Sequence, residues 1–95
     1  MELQKPNYTV MSNDFIDKHI ANLTGAEVKI FLAIARKTIG CSVFHNKTEK
    51  ISISQFEEMT GLSNKQIIKS CKSLQDKGFI TAIKSVGEAT EYQLK

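Results

Sequence analysis

Ninety-five residues, 41% hydrophobic and with a net charge of +3, make one small domain over residues 1–95, with a single core and little room for a second domain. A deeply buried catalytic cleft is hard to build at that size, and the charge alone is a weak pointer to a nucleic-acid partner. Cys41 and Cys71, thirty positions apart, match neither metal nor redox spacing and read as reduced thiols of an intracellular protein.

The chain opens on a polar stretch, residues 1–11, read as an extended arm that Tyr8 and Val10 tie down. Ser12 then caps a short helix through Ile20, with Phe15, Ile16 and Ile20 facing inward. Thr24-Gly25-Ala26-Glu27 is a capping box. It opens a helix to about Ile39, on which Val28, Phe31, Leu32, Ile34, Ala35 and Ile39 form a broad apolar surface at helical spacing. Gly40 stops it. The stretch 28–39 is the longest apolar one, but Lys29, Arg36 and Lys37 break it, so it does not span a membrane. The N-terminus has no apolar leader core, and a cytoplasmic location is expected.

Residues 41–50 read as a loop, with Val43 and Phe44 beginning a short strand. Lys50-Ile51-Ser52-Ile53 alternates like a strand. Ser54-Gln55-Phe56-Glu57 is a second capping box, opening a helix to about Thr60. Thr60-Gly61-Leu62 is a tight turn. Ser63-Asn64-Lys65-Gln66 is a third box, opening a helix to about Lys77 that Gly78 stops. Residues 79–84 and 90–94 are strand-like around a turn at Ser85-Val86-Gly87-Glu88-Ala89. A helix-turn-helix followed by a hairpin is a winged helix: mainly α, three to four helices, and a small antiparallel sheet.

On the second helix of that motif, Ile67, Cys71 and Leu74 make an inward stripe, while Lys65, Gln66, Lys69, Lys72 and Ser73 lie mostly on other faces. Ile68 flanks the stripe and either packs inside or meets a partner. Residues 63–84 hold five lysines and one acid, a local charge of +4 that leaves −1 for the rest. Lysines on an amphipathic helix ordinarily just face water. Joined to the turn and the wing, they point to DNA. Asn64 and Gln66 stand near the helix start, where base edges are usually read. Lys65, Lys69 and Lys72 suit phosphates, and Lys84 follows a backbone from the wing. Arg36 near the end of the longer helix serves either the helix dipole or a phosphate.

Phe15, Phe31, Phe56 and Phe79 read as core, and His19 and His45 as surface histidines without ligand partners. No metal site, cofactor or nucleophile with its base is expected, and nothing supports an enzyme.

Leu23-Thr24-Gly25-Ala26-Glu27, Ala35-Arg36-Lys37-Thr38-Ile39-Gly40, Ile51-Ser52 and Thr60-Gly61-Leu62-Ser63, with Asn7-Tyr8-Thr9 as the entry, resemble the N-terminal domain of the phage replication protein O family. The Arg-Lys-Thr-x-Gly run is the most specific piece. The resemblance implies a replication initiator whose winged helix binds origin DNA, with residues 64–77 as the recognition helix. Full-length members carry a C-terminal region that recruits helicase machinery. It is absent from these 95 residues, so an isolated domain or a small stand-alone protein is expected. Cys41 stands where the family commonly has tryptophan.

The expected function is DNA binding in replication of a phage, plasmid or other mobile element, on double-stranded DNA. Three alternatives stay open: a winged-helix transcriptional regulator acting as a homodimer, a single-strand binder, and a module that docks replisome proteins.

Overall fold

The computed structural model describes residues 8–39, 47–84, 87 and 89–95. The first seven residues of the arm, the Gly40 stop, Cys41, the strand start at Val43 and Phe44, His45 and turn positions Ser85, Val86 and Glu88 lie outside them. A π-helical turn over Phe15–His19 and a 3-10 turn over Ile20–Asn22 lead into α1, Gly25–Thr38. Then come β1 (Glu49–Lys50), α2 (Ile53–Thr60), α3 (Asn64–Asp76), β2 (Ile80–Ile83) and β3 (Glu91–Leu94). The sheet is antiparallel in the order β1-β3-β2. Helices over a small sheet, with a β2–β3 ribbon after α3, make a winged helix.

Local chemistry sets each helix start. The Thr24 hydroxyl accepts from the Glu27 N–H at 3.1 Å, and the Thr24 N–H donates to the Glu27 carboxylate at 2.8 Å. Ser63 and Gln66 repeat the exchange for α3 at 3.2 and 3.0 Å. Each pair satisfies two N–H groups that a helix start otherwise leaves without partners. The box that opens α2 is Ser52 with Gln55, at 3.1 and 2.8 Å, rather than Ser54 with Glu57. Both spacings fit the pattern. Ser52 is the one with extended backbone, φ −79° and ψ 161°. This also shortens the strand expected over 50–53. Ile51 still donates to the Thr90 carbonyl at 3.1 Å, but Ser52 has turned to cap the helix.

α2 ends in a turn with a specific cause. Gly61 sits at φ +72°, a left-handed conformation that disfavours a Cβ. Its N–H donates to the Glu57 carbonyl at 2.9 Å. The Thr60 hydroxyl donates back to Phe56 at 2.6 Å and accepts from the Leu62 N–H at 3.2 Å. The chain therefore leaves α2 and enters α3 in three residues, Gly61 to Ser63, which fixes the angle between the helices.

α1 packs against α2, α3 and β3. Ile30, Ile34, Ile51, Phe56, Ile67, Leu74 and Ile80 are essentially fully buried at the centre. Phe56 meets Tyr92 of β3 edge to face at 5.3 Å. Phe15 stacks on Phe31 at 3.9 Å, and Phe79 meets both edge-on. The four phenylalanines read as core are thus in or against it. Two expected inward sets are corrected. Of Phe15, Ile16 and Ile20, only Phe15 is buried, because i→i+5 and then i→i+3 winding replaces the even α-helical stripe. On α1, Leu32 is exposed while Ile30 and Ala33 are buried, since neighbours cover this helix on several sides.

Candidate nucleic-acid interface

α3 carries the densest set of candidate contacts. Its inward stripe, Ile67, Cys71 and Leu74, is buried together with Ser70. Asn64, Lys65, Gln66, Lys69 and Lys72 are exposed. Lys65 and Lys69 stand one turn apart, and Lys72 follows within the next turn. Among the described residues no ion pair neutralises Lys65, Lys69, Lys72 or Lys84. The Gln66 carbonyl oxygen is committed to the Ser63 N–H, so the outward-facing chemistry of that side chain is its amide nitrogen.

Ser73 departs from the exposed row. Its hydroxyl donates to Glu27 Oε2 at 2.5 Å, and Lys77 Nζ reaches both carboxylate oxygens at 2.9 and 3.1 Å. Glu27 is 3% exposed. Burial pushes its carboxyl up, but the hydrogen bonds from Ser73, the Thr24 N–H and Lys77, with the charge of Lys77, outweigh burial and hold it at about 2 against an ordinary 4.5. Glu27 therefore caps α1 and clamps the C-terminal half of α3 at once. The sequence shows the first role and not the second, because the partners lie 46 and 50 positions away. Lys77 is spent on this clamp, which leaves Lys65, Lys69, Lys72 and Lys84 as the open cations of the motif and its wing.

Five of the candidate residues line three clefts. Gln66, Lys69 and Ser73 share one with Thr24, Glu27 and Lys77, at the junction of α1 and α3. Lys84, at the end of β2, shares a second with Ile68 and Tyr92, between α3 and the wing. Arg36 lies apart, exposed on α1 beside Lys29, Leu32 and Met59. The structure thus groups the α3 residues and Lys84 around one helix and sets Arg36 on another surface.

Cys71 and Tyr92 meet beneath the second cleft. Burial raises the pKa of both, and their mutual contact raises that of Tyr92 further. His19 is exposed with its ring 5.2 Å from Phe79. Among the described residues no His, Cys, Asp and Glu cluster could hold a metal ion, and no helix is long and apolar enough to cross a membrane.

A family model described as bacteriophage replication protein O matches residues 1–92. The chain belongs to the bacteriophage replication protein O family. A role in phage replication goes with that membership. No curated protein and no solved structure matches the chain. In this O-family chain the run Arg36-Lys37-Thr38 splits by environment: Arg36 is exposed, Lys37 is half-buried and Thr38 is buried. The Thr38 hydroxyl donates to the Ile34 carbonyl at 2.7 Å, and its carbonyl accepts from the Lys47 N–H at 3.3 Å. This run is thus partly structural, closing the end of α1 and tying down the return to β1.

Proposed function

We propose that the chain binds double-stranded DNA and acts in the initiation of replication of a phage, plasmid or related mobile element. α3 enters the major groove and the β2–β3 ribbon follows the neighbouring backbone. The observation that carries this is the exposed row Lys65, Lys69 and Lys72, on a helix whose other side is anchored by buried Ile67, Cys71 and Leu74 and by the Glu27 clamp. A rigid helix presenting unneutralised cations suits the regular phosphate spacing of a duplex.

Each residue takes a role by position. Lys65, Lys69 and Lys72 meet phosphates. Asn64 and the Gln66 amide, at the helix start, meet base edges. Lys84 touches a backbone from the ribbon. Arg36 serves as a separate phosphate contact on the α1 side. A duplex is favoured over a single strand because Phe15, Phe31, Phe56 and Tyr92 are all buried, which leaves few rings to act as stacking platforms.

The test is a titration of labelled duplexes at rising salt. Lys69→Ala weakens binding on every sequence and lowers the slope of log affinity against log salt by about one. Unchanged affinity and slope at low salt would remove the assigned face.

A further inference from the structure

Ile68 stands on the wing side of the lysine row of α3, between that row and Lys84, and is 56% exposed. Asn64 lies one turn before it, Lys72 one turn after, and Lys65 three positions before, all exposed. Its exposure is not a ragged helix end, because the neighbouring stripe of Ile67, Cys71 and Leu74 is buried without it. A β-branched side chain in a helix is held in essentially one χ1 rotamer, so Ile68 is a stiff apolar projection that loses little freedom on contact. It forms one wall of the cleft of about 540 Å³ between α3 and the wing, with Lys84 on the same rim.

A partner that fits this face must bring negative charge to its edges and an apolar group to its centre. The major groove does both. Phosphates line its rims, and the thymine C5-methyl is the apolar group on its floor. An apolar protein surface would instead have to desolvate the flanking lysines without neutralising them.

We propose that Ile68 reads a thymine methyl and gives the chain a preference for A·T pairs where α3 and the wing meet the groove. The inference rests on the DNA-binding reading above and adds a specificity residue to it.

The test starts from duplexes that the full chain selects out of a random pool. Each thymine is then replaced in turn by deoxyuridine, which deletes the methyl alone. At one or two thymines the wild-type chain loses about fourfold in affinity, the worth of one buried methyl-sized group. Ile68→Ala binds the thymine and uracil duplexes alike, at the level of wild type on uracil. Because Ile68 is exposed, the variant keeps the wild-type melting temperature. A wild type that binds with the expected salt dependence but ignores every replacement overturns the inference and leaves DNA binding intact. So does an Ile68→Ala that stays sensitive, or a selection without thymine enrichment. Failure to bind any duplex overturns both readings, and loss of a protein partner on Ile68→Ala in that case assigns the face to protein.

Discussion

The Ser73 hydroxyl on α3 donates to the Glu27 carboxylate on α1 across 2.5 Å, within a group that also holds Lys77 and the Thr24 N–H. One carboxylate thus ends one helix and fastens another. The geometry of α3 relative to the domain rests on it as much as on the apolar stripe.

Removing that carboxylate has two effects. Glu27→Ala leaves Ser73 and the Thr24 N–H without their acceptor and releases Lys77. The Lys77 side chain is 43% exposed, so water takes over part of its solvation. The expected loss is about 2 to 3 kcal/mol in urea unfolding, from a lost cap and buried hydrogen bonds. A loss below about 0.5 kcal/mol, the level of an ordinary surface change, would show that Glu27 does not clamp α3.

Acid should dissolve the same clamp over a defined window. The Glu27 carboxyl is held at about 2 when folded against 4.5 as its ordinary value. Between those values the unfolded chain binds the extra proton and the folded chain does not. Stability from this group is therefore complete above about pH 4.5 and is lost as pH falls toward about 2. The shift corresponds to up to about 3 kcal/mol. Glu27→Gln should start less stable at neutral pH and show a flatter acid profile. Parallel profiles for the two proteins would contradict the assignment.

Gly61 tests the turn. A Cβ placed there would meet nothing within 4 Å, so the only penalty is its φ of +72°. Gly61→Ala should cost about 1 to 2 kcal/mol. Gly61→Asn should cost less, because asparagine tolerates the left-handed region. Equal losses, measured by thermal unfolding, would mean that something other than backbone conformation sets the turn.

Cys71 should be chemically silent in the folded protein. It is buried, and burial pushes its thiol up despite a hydrogen bond with Tyr92. Thiolates are what react. In a Cys41→Ser background, a thiol reagent should label the chain only as it unfolds, in step with the loss of helical signal. Fast labelling under native conditions would show that the α3–β3 seam opens.

What the sequence made legible was what is local. Two of the three capping boxes sit where the i, i+3 pattern puts them, and the third lies two residues early because Ser52 and Ser54 both satisfy the spacing. The inward stripe of α3 follows from helical period, with one side of that helix covered. On α1 helical period points Leu32 inward and leaves out Ile30 and Ala33, because a helix packed on several sides has no single apolar face. Helical period sets Ser73 off the inward stripe, but its carboxylate partner is set by tertiary packing. The π-helical turn at Phe15–His19 has no local sequence signature that separates it from an ordinary helix start.

Tyr92 is flanked in the sheet by Glu49 on one side and Ala82 on the other. The Ala82 pairing closes a short ribbon, whereas the Glu49 pairing closes a loop of roughly forty residues that contains all of α2 and α3. The ribbon can form from neighbouring chain alone. β1 can join it only after the intervening helices have folded back far enough to bring Glu49 within reach. Completing the sheet at Glu49 and Tyr92 therefore carries the entropy cost of closing the loop that holds the helix-turn-helix, so loosening Tyr92 weakens the hold on both.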